Sequence, residues 1–146
     1  MAESDEHFMR EALKEAAKAF VSGEVPVGAI IVMGGKIIAR AHNQVQQLND
    51  STAHAEIIAL TSAYAFLGAK YLPGAAIYIT IEPCLMCAGA LYWSKIDKVV
   101  YGARDEKHGA FSSPSSQILH PKTQLTGPVC GDECADLIKK FFKEKR

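Results

Sequence analysis

The sequence predicts an α/β fold in which helices pack on a mixed β-sheet. Two observations support this prediction. Segments whose apolar residues recur at helical spacing alternate along the chain with short runs rich in β-branched residues. The chain has 146 residues, close to the usual size of one domain, and no linker or internal repeat divides it. We therefore expect one layered domain over residues 1–146.

The first third of the chain predicts a helix, a β-hairpin and a polar loop. Apolar side chains recur at helical spacing after Asp5, and Gly23 follows as a stop signal. The Gly34-Gly35 pair between two apolar runs is typical of a hairpin turn. The expected elements are a helix over 5–21, strands over 27–33 and 36–41, and a loop over 43–52.

The remaining two thirds continue the alternation of helices and strands. Pro73-Gly74 breaks the chain before a buried strand, and Pro83 suits the first turn of a helix. Residues 102–117 contain Gly, Ser and Pro and predict a long loop, a feature that is often functional. The expected elements are helices over 53–67, 83–94 and 133–143, and strands over 75–81 and 98–101.

Charge and hydropathy limit the classes of function. The chain has 16 Lys and Arg residues and 16 Asp and Glu residues, so a strongly basic nucleic-acid-coating protein is excluded. Residues 139–146 nevertheless carry a net charge of +4, which could meet phosphates or form a solvated tail. No secretory signal and no apolar run near the roughly 18 residues of a membrane span is visible. We expect a cytoplasmic protein without a membrane partner.

Two short motifs supply candidate metal ligands. They are His54-Ala55-Glu56 and Pro83-Cys84-Leu85-Met86-Cys87, each at the predicted start of a helix. The Cys-x-x-Cys spacing lets two thiolates reach one ion from a single helical turn, while His54 arrives from another helix. Three protein ligands with one position open to water are typical of catalytic zinc. Glu56 lies near the ion without being a ligand, so it could move the proton of that water.

Cys130 and Cys134 leave an alternative open. Their Cys-x-x-x-Cys spacing could complete a structural zinc site with four protein ligands. The chain would then be a non-catalytic, zinc-stabilised module that binds nucleic acid. Because that hypothesis gives Glu56 no purpose, we favour the catalytic site and expect Cys134 to be a buried packing thiol.

The combination of His-x-Glu with Pro-Cys-x-x-Cys resembles the zinc-dependent cytidine deaminase superfamily. Further segments resemble, in order, its bacterial tRNA-specific adenosine deaminases; they are 24–29, 42–43, 52–56, 82–90, 99–105, 133–134 and 141–142. The resemblance implies a cytidine deaminase-like, three-layer α/β/α sandwich with a mixed five-stranded sheet. It also implies a homodimer with one Zn²⁺ per subunit, which converts adenosine to inosine at the wobble position of a tRNA anticodon stem-loop.

The same resemblance assigns roles to individual residues. It implies that His54, Cys84 and Cys87 bind zinc, that zinc-bound hydroxide attacks C6 of the adenine, and that Glu56 is the proton shuttle. The implied substrate-binding residues are Asn43 on the purine ring, Val27 at the pocket wall, Ala55, Glu82 and Pro83 through their backbone, Asp105 and Lys107 near the flanking nucleotides, and Phe142 on a terminal helix against the RNA.

Several departures from the family pattern favour an alternative substrate. Ser51 stands where the family commonly has proline, and residues 111–117 lack its usual Gly-Ser-Leu pattern. Tyr92-Trp93 resembles the same helix in bacterial guanine deaminases, although core or dimer contacts are the more ordinary role of such residues. The alternative is a deaminase of a free base or nucleoside, such as guanine, cytosine or cytidine. His108 is either a substrate contact or a surface histidine.

Overall fold

Five α-helices and five β-strands form the part of the chain that the computed structural model describes, residues 4–112 and 118–145. In chain order they are α1 (Asp5–Val21), β1 (Gly28–Met33), β2 (Lys36–His42), α2 (Val45–Leu48), α3 (Ala55–Leu67), β3 (Ala75–Ile81), α4 (Leu85–Ser94), β4 (Lys98–Ala103), β5 (Gln124–Thr126) and α5 (Gly131–Glu144). A single 3₁₀ turn, Ala110–Ser112, follows β4. No described helix is long and apolar enough to cross a bilayer.

The strands form one mixed sheet in the order β2-β1-β3-β4-β5. β1 is antiparallel to both β2 and β3, whereas β3, β4 and β5 run parallel to one another. This confirms the mixed five-stranded sheet that the family resemblance implies. The sequence pattern alone predicted only four strands, because β5 is three residues long and too short to show alternation.

Helices cover both faces of the sheet, which confirms the three-layer architecture. Successive strand residues point to opposite faces. Ile30 and Tyr78 therefore pack with α1 and α5, while their neighbours Ile31 and Ile77 pack with α3 and α4. Gly28 is required where α1 crosses the start of β1, because a Cβ there would overlap the backbone of α1.

The observed helix boundaries place two of the three predicted ligands just ahead of two helices, with Cys87 inside the second helix. α3 begins at Ala55 and α4 at Leu85, so His54 and Cys84 are the N-cap residues. The prediction that Pro83 lies in the first turn of a helix is wrong by two residues. Pro83 precedes the N-cap, since the chain leaves β3 in an extended conformation that continues through Cys84. The predicted polar loop over 43–52 contains the short helix α2.

Candidate active site

A histidine and two cysteines meet where α3 and α4 begin. His54 Nδ1 lies 3.7 Å from Cys84 Sγ and 3.5 Å from Cys87 Sγ. One ligand atom from each residue lies within 4.8 Å of the others, and no other group of this kind occurs within residues 4–112 and 118–145. The parallel strands β3 and β4 and the hairpin β1–β2 hold the two helix starts at the same end of the sheet.

The donor set fits a zinc ion. Hydrogen bonds with Cys87 and then with His54 lower the pKa of the Cys84 thiol to about 4. The same hydrogen bond to Cys84, together with burial, raises the pKa of Cys87. One imidazole nitrogen and two sulfurs in close contact are a usual ligand set for zinc with one coordination position left open, and zinc binds the deprotonated thiolates.

Glu56 lies beside this cluster on the first turn of α3. Its side chain is buried, and the loss of solvation raises the pKa of its carboxyl group. It is also hydrogen-bonded to the Cys87 thiol. The carboxyl group is therefore held next to the candidate ligands and away from bulk water.

The cluster opens into a cavity of about 880 Å³. Its wall on one side comes from the α1–β1 connection and from the loop that holds α2. The segment after β4 and the end of α5 form the wall on the other side. Its lining residues include Glu24, Val27, Asn43, Ser51, His54, Glu56, Glu82, Cys84, Asp105, His108, Phe142 and Lys145. A cavity of this volume is within the usual range for small-molecule sites.

Asn43 connects the cavity wall to the start of α3. Its Oδ1 accepts a hydrogen bond of 2.7 Å from the Ala55 backbone N–H. This contact satisfies a free amide of the helix N-terminus and fixes His54 immediately before it. The Nδ2 amino group of Asn43 remains the donor that the side chain can offer to a ligand.

The other predicted substrate residues divide into two sets. Val27, Glu82, Asp105 and Phe142 line the cavity. Lys107 instead lines an adjoining groove of about 930 Å³, which shares Asp105, His108, Phe142 and Lys145 with the cavity. Within the described residues, Ala55 and Pro83 line neither space. The Ala55 N–H is already bonded to Asn43.

Two buried carboxylates in the cavity walls have contacts that sequence reasoning missed. Glu24 accepts hydrogen bonds from the backbone N–H groups of Gln46 (3.0 Å) and Gln47 (2.8 Å) at the start of α2. The Glu82 side chain bonds to the backbone of Asp105 and Phe111. Both glutamates lie in segments that resemble the family, and that resemblance was the available signal.

The structural-zinc hypothesis is wrong for Cys130 and Cys134. Cys134 is buried in the opposite layer, among residues of α1 and α5, where its Sγ packs close to Gly102. Neither cysteine belongs to the candidate metal cluster. Of the segment 111–117, in which the sequence departs from the family, residues 113–117 lie outside the described part of the chain.

Comparison with known proteins agrees with this geometry. The family model of the cytidine and deoxycytidylate deaminase zinc-binding region matches residues 2–103. A tRNA-specific adenosine deaminase of Aquifex aeolicus is 45% identical over 146 residues, covering 97% of this chain and 95% of the relative. One from Bacillus subtilis is 42% identical and covers 97% of this chain and 91% of the relative.

Solved structures share the fold. One, from a study of A-to-I editing by tRNA:A34 deaminases at the wobble position of transfer RNA, has a TM-score of 0.83 and 42% identity over 90% of this chain and 98% of its own. A guanine deaminase from Bacillus subtilis has a TM-score of 0.67 and 40% identity over 70% of this chain and 66% of its own. The chain therefore belongs to the zinc-binding cytidine and deoxycytidylate deaminase family, and within it to the tRNA-specific adenosine deaminases.

Proposed function

We propose that this chain is a zinc-dependent hydrolytic deaminase that converts adenosine to inosine at the wobble position of a tRNA. The observation that carries the proposal is the buried carboxyl group of Glu56 beside the cluster of His54, Cys84 and Cys87. The names of the relatives, which share more than 40% of their residues with this chain over nearly its full length, support the substrate.

The chemistry requires an activated water and a group that carries protons. His54, Cys84 and Cys87 would hold a zinc ion, which when bound lowers the pKa of water and so supplies a nucleophile at neutral pH. Glu56 accepts a proton from the attacking water and delivers it to N1 of the adenine as the C6–O bond forms. It then takes the proton of the new C6–OH group and transfers it to the exocyclic amino group, as the C6=O bond forms. The C6–N bond breaks, and inosine and ammonia leave.

The cavity walls suit a purine base that has been turned out of its strand. Val27 supplies an apolar wall, and the Nδ2 amino group of Asn43 supplies a donor for a ring nitrogen. Bases of an anticodon loop are unpaired at the outset, so presenting one to the cavity costs less than extracting it from a duplex.

Features around the cavity mouth favour RNA over a free base. The Phe142 ring is 49% exposed and lines the cavity with Lys145, so it can stack on an unpaired base. Arg104, Lys107 and Lys139 line the adjoining groove and can bind phosphate groups. Two lysines of the basic C-terminal segment, Lys139 and Lys145, line the groove, which supports a role of this segment in binding RNA.

Deamination of guanine is the second candidate, because the guanine deaminase from Bacillus subtilis is 40% identical over the part that matches. The Tyr92-Trp93 pair, which resembles guanine deaminases, does not support it. Tyr92 and Trp93 are on the exposed side of α4, and neither lines the cavity in the described part of the chain.

The proposal extends to a homodimer in the cytoplasm, where tRNA and reduced cysteines are found. Large apolar side chains are exposed on α2, α3 and α4; they are Leu48, Phe66, Leu85, Met86 and Trp93. Exposed apolar surface of this kind is typical of a protein interface. A second copy of the chain is the partner that the family resemblance implies.

The decisive experiment measures ammonia and the base product. The zinc-loaded protein is incubated with an anticodon stem-loop bearing adenosine at the wobble position, and separately with guanine, cytosine, cytidine and adenosine. We expect inosine from the stem-loop and no turnover of the free compounds. The Glu56→Ala variant should retain zinc and lose about 10²- to 10⁴-fold in rate. Turnover of guanine alone would contradict the tRNA substrate but not the zinc site.

A further inference from the structure

The side chain of Glu82 is a buried carboxylate between the end of β3 and the metal-ligand motif. Its Oε1 accepts a hydrogen bond of 3.2 Å from the Asp105 N–H, and its Oε2 accepts one of 2.7 Å from the Phe111 N–H. One carboxylate therefore binds both ends of the segment that follows β4. This segment, residues 105–111, is called the clasp below.

Backbone contacts also hold the clasp against the residues that follow Glu82. The Ala110 N–H donates to the Pro83 carbonyl at 2.9 Å, and Gly109 pairs with Cys84 in an isolated antiparallel bridge. A Cβ at Gly109 would overlap the Glu82 carboxylate and the Asp105 carbonyl oxygen. Position 109 therefore requires glycine because the clasp passes so close to Glu82, not because of its own backbone torsions.

The clasp forms a wall shared by the cavity and the adjoining groove. Asp105 Oδ1 accepts hydrogen bonds from the Lys107 N–H (3.1 Å) and the His108 N–H (3.0 Å), which turns the chain at that point. The side chains of Lys107 and His108 are exposed there. Asp105 and His108 border both spaces, whereas Lys107 borders only the groove.

We propose that Glu82 is a positioning residue for substrate: it fixes the clasp so that His108 and Lys107 meet the reacting nucleoside and its neighbour. This inference rests on the proposed function. The Glu82 carboxylate is bonded to backbone N–H groups of the clasp and acts through that segment. Loss of the Glu82 carboxylate should therefore weaken binding of the ground state and of the transition state about equally. Such a change raises KM and leaves kcat nearly unchanged.

The test compares two variants that disturb one contact from opposite sides. Glu82→Gln keeps the size of the side chain but places an amino group against an N–H donor. Gly109→Ala leaves Glu82 intact and forces the clasp away from it. With the zinc-loaded chain and the stem-loop substrate, each variant should raise KM about tenfold or more while kcat stays within about threefold. Amide exchange at Asp105 and Phe111 should accelerate in both, and zinc should stay at one per chain.

Glu15→Gln is the matched control. Glu15 is also a buried carboxylate, but it lies on α1, pairs with Lys18 and Arg40, and, in the part of the chain that the structure describes, lines neither the cavity nor the groove. Its variant should leave KM and the exchange of both amides unchanged, even where it lowers the stability of the fold.

Three results would overturn the proposal: unchanged KM in Glu82→Gln, unchanged exchange at Asp105 and Phe111, or loss of zinc with a matching fall in kcat. The last result would assign Glu82 to the metal site instead. If the wild-type chain deaminates guanine and not the stem-loop, the proposed function fails by itself. The same KM comparison with guanine then decides whether the clasp positions substrate, because His108 borders the cavity in either case.

Discussion

At the scale of single residues, the chemistry is concentrated in side chains at the N-terminal ends of two helices. His54 and Cys84 are N-cap residues, and Cys87 and Glu56 are in the first turn after them. These residues were predictable because zinc accepts few donor types and because the Cys-x-x-Cys spacing matches one turn of helix. Glu24 and Glu82 were not predictable in the same way. Their partners lie more than twenty residues away in sequence and are backbone groups, which leave no pattern of side chains.

The two buried cysteines give opposite predictions for metal binding. Cys87→Ala removes one of three candidate ligands, so we expect the purified variant to contain little zinc. Cys134→Ala removes a thiol of the same size and similar burial from the other layer, so we expect one zinc per chain. Metal analysis by mass spectrometry of both proteins, after dialysis against a weak chelator, measures this. Full zinc occupancy in Cys87→Ala would exclude Cys87 as a ligand.

At the scale of elements, the long periodic segments were predicted well and the short ones poorly. α1, β1, β2, α3 and β3 all lie within one or two residues of their predicted bounds. α2 and β5 are four and three residues long, and each depends on a partner distant in sequence. The backbone N–H groups at the start of α2 donate hydrogen bonds to the carboxylate of Glu24. β5 exists through parallel pairing with β4.

The contact between α1 and β2 should make stability depend on pH. The Glu11 carboxylate pairs with Arg40 of β2 and with Lys14, and these hydrogen bonds lower the pKa of Glu11 from 4.5 to about 2. The folded state therefore favours the charged form, and this stabilisation is present above pH 4.5 and lost as the pH falls towards 2.

Glu11→Gln should accordingly lower the free energy of unfolding most at neutral pH. The difference from the wild type should shrink steadily below about pH 4.5. Urea unfolding of both proteins at a series of pH values between 7 and 3 measures it. A difference that is the same at every pH would show that the ion pairs contribute nothing.

At the scale of the whole molecule, the two helical layers contribute different parts of the site. One face of the sheet carries α3 and α4 with the candidate metal ligands, and the other carries α1 and α5. α5 ends beside the cavity, so a helix from the far layer contributes Phe142 and Lys145 to the substrate opening. The neutral net charge of the chain does not conflict with RNA binding, because the groove beside this opening is lined by four basic side chains, Arg104, Lys107, Lys139 and Lys145, and by two acidic ones, Asp105 and Glu106.

The exposed apolar surface predicts the oligomeric state. Trp93 is 71% exposed on α4, and placing a charge there should prevent burial against a second copy. We expect the wild type to be a dimer and Trp93→Glu to be a monomer in light scattering after gel filtration. Val21→Glu is the control, because Val21 is 86% exposed on α1 in the other layer and should leave the dimer intact. A monomeric wild type would contradict the homodimer.

α4 carries Cys84 and Cys87 at its start, and the two residues between them, Leu85 and Met86, are exposed. A partner that covers this face would therefore contact the first turn of α4, which carries two of the three candidate ligands. Thermodynamic linkage makes zinc binding and self-association reciprocal. Any factor by which zinc would strengthen self-association is also the factor by which self-association would strengthen zinc binding. If a homodimer buries this face and the coupling is favourable, dilution and chelation would reinforce each other, and the chain would hold zinc more tightly at high protein concentration than at low.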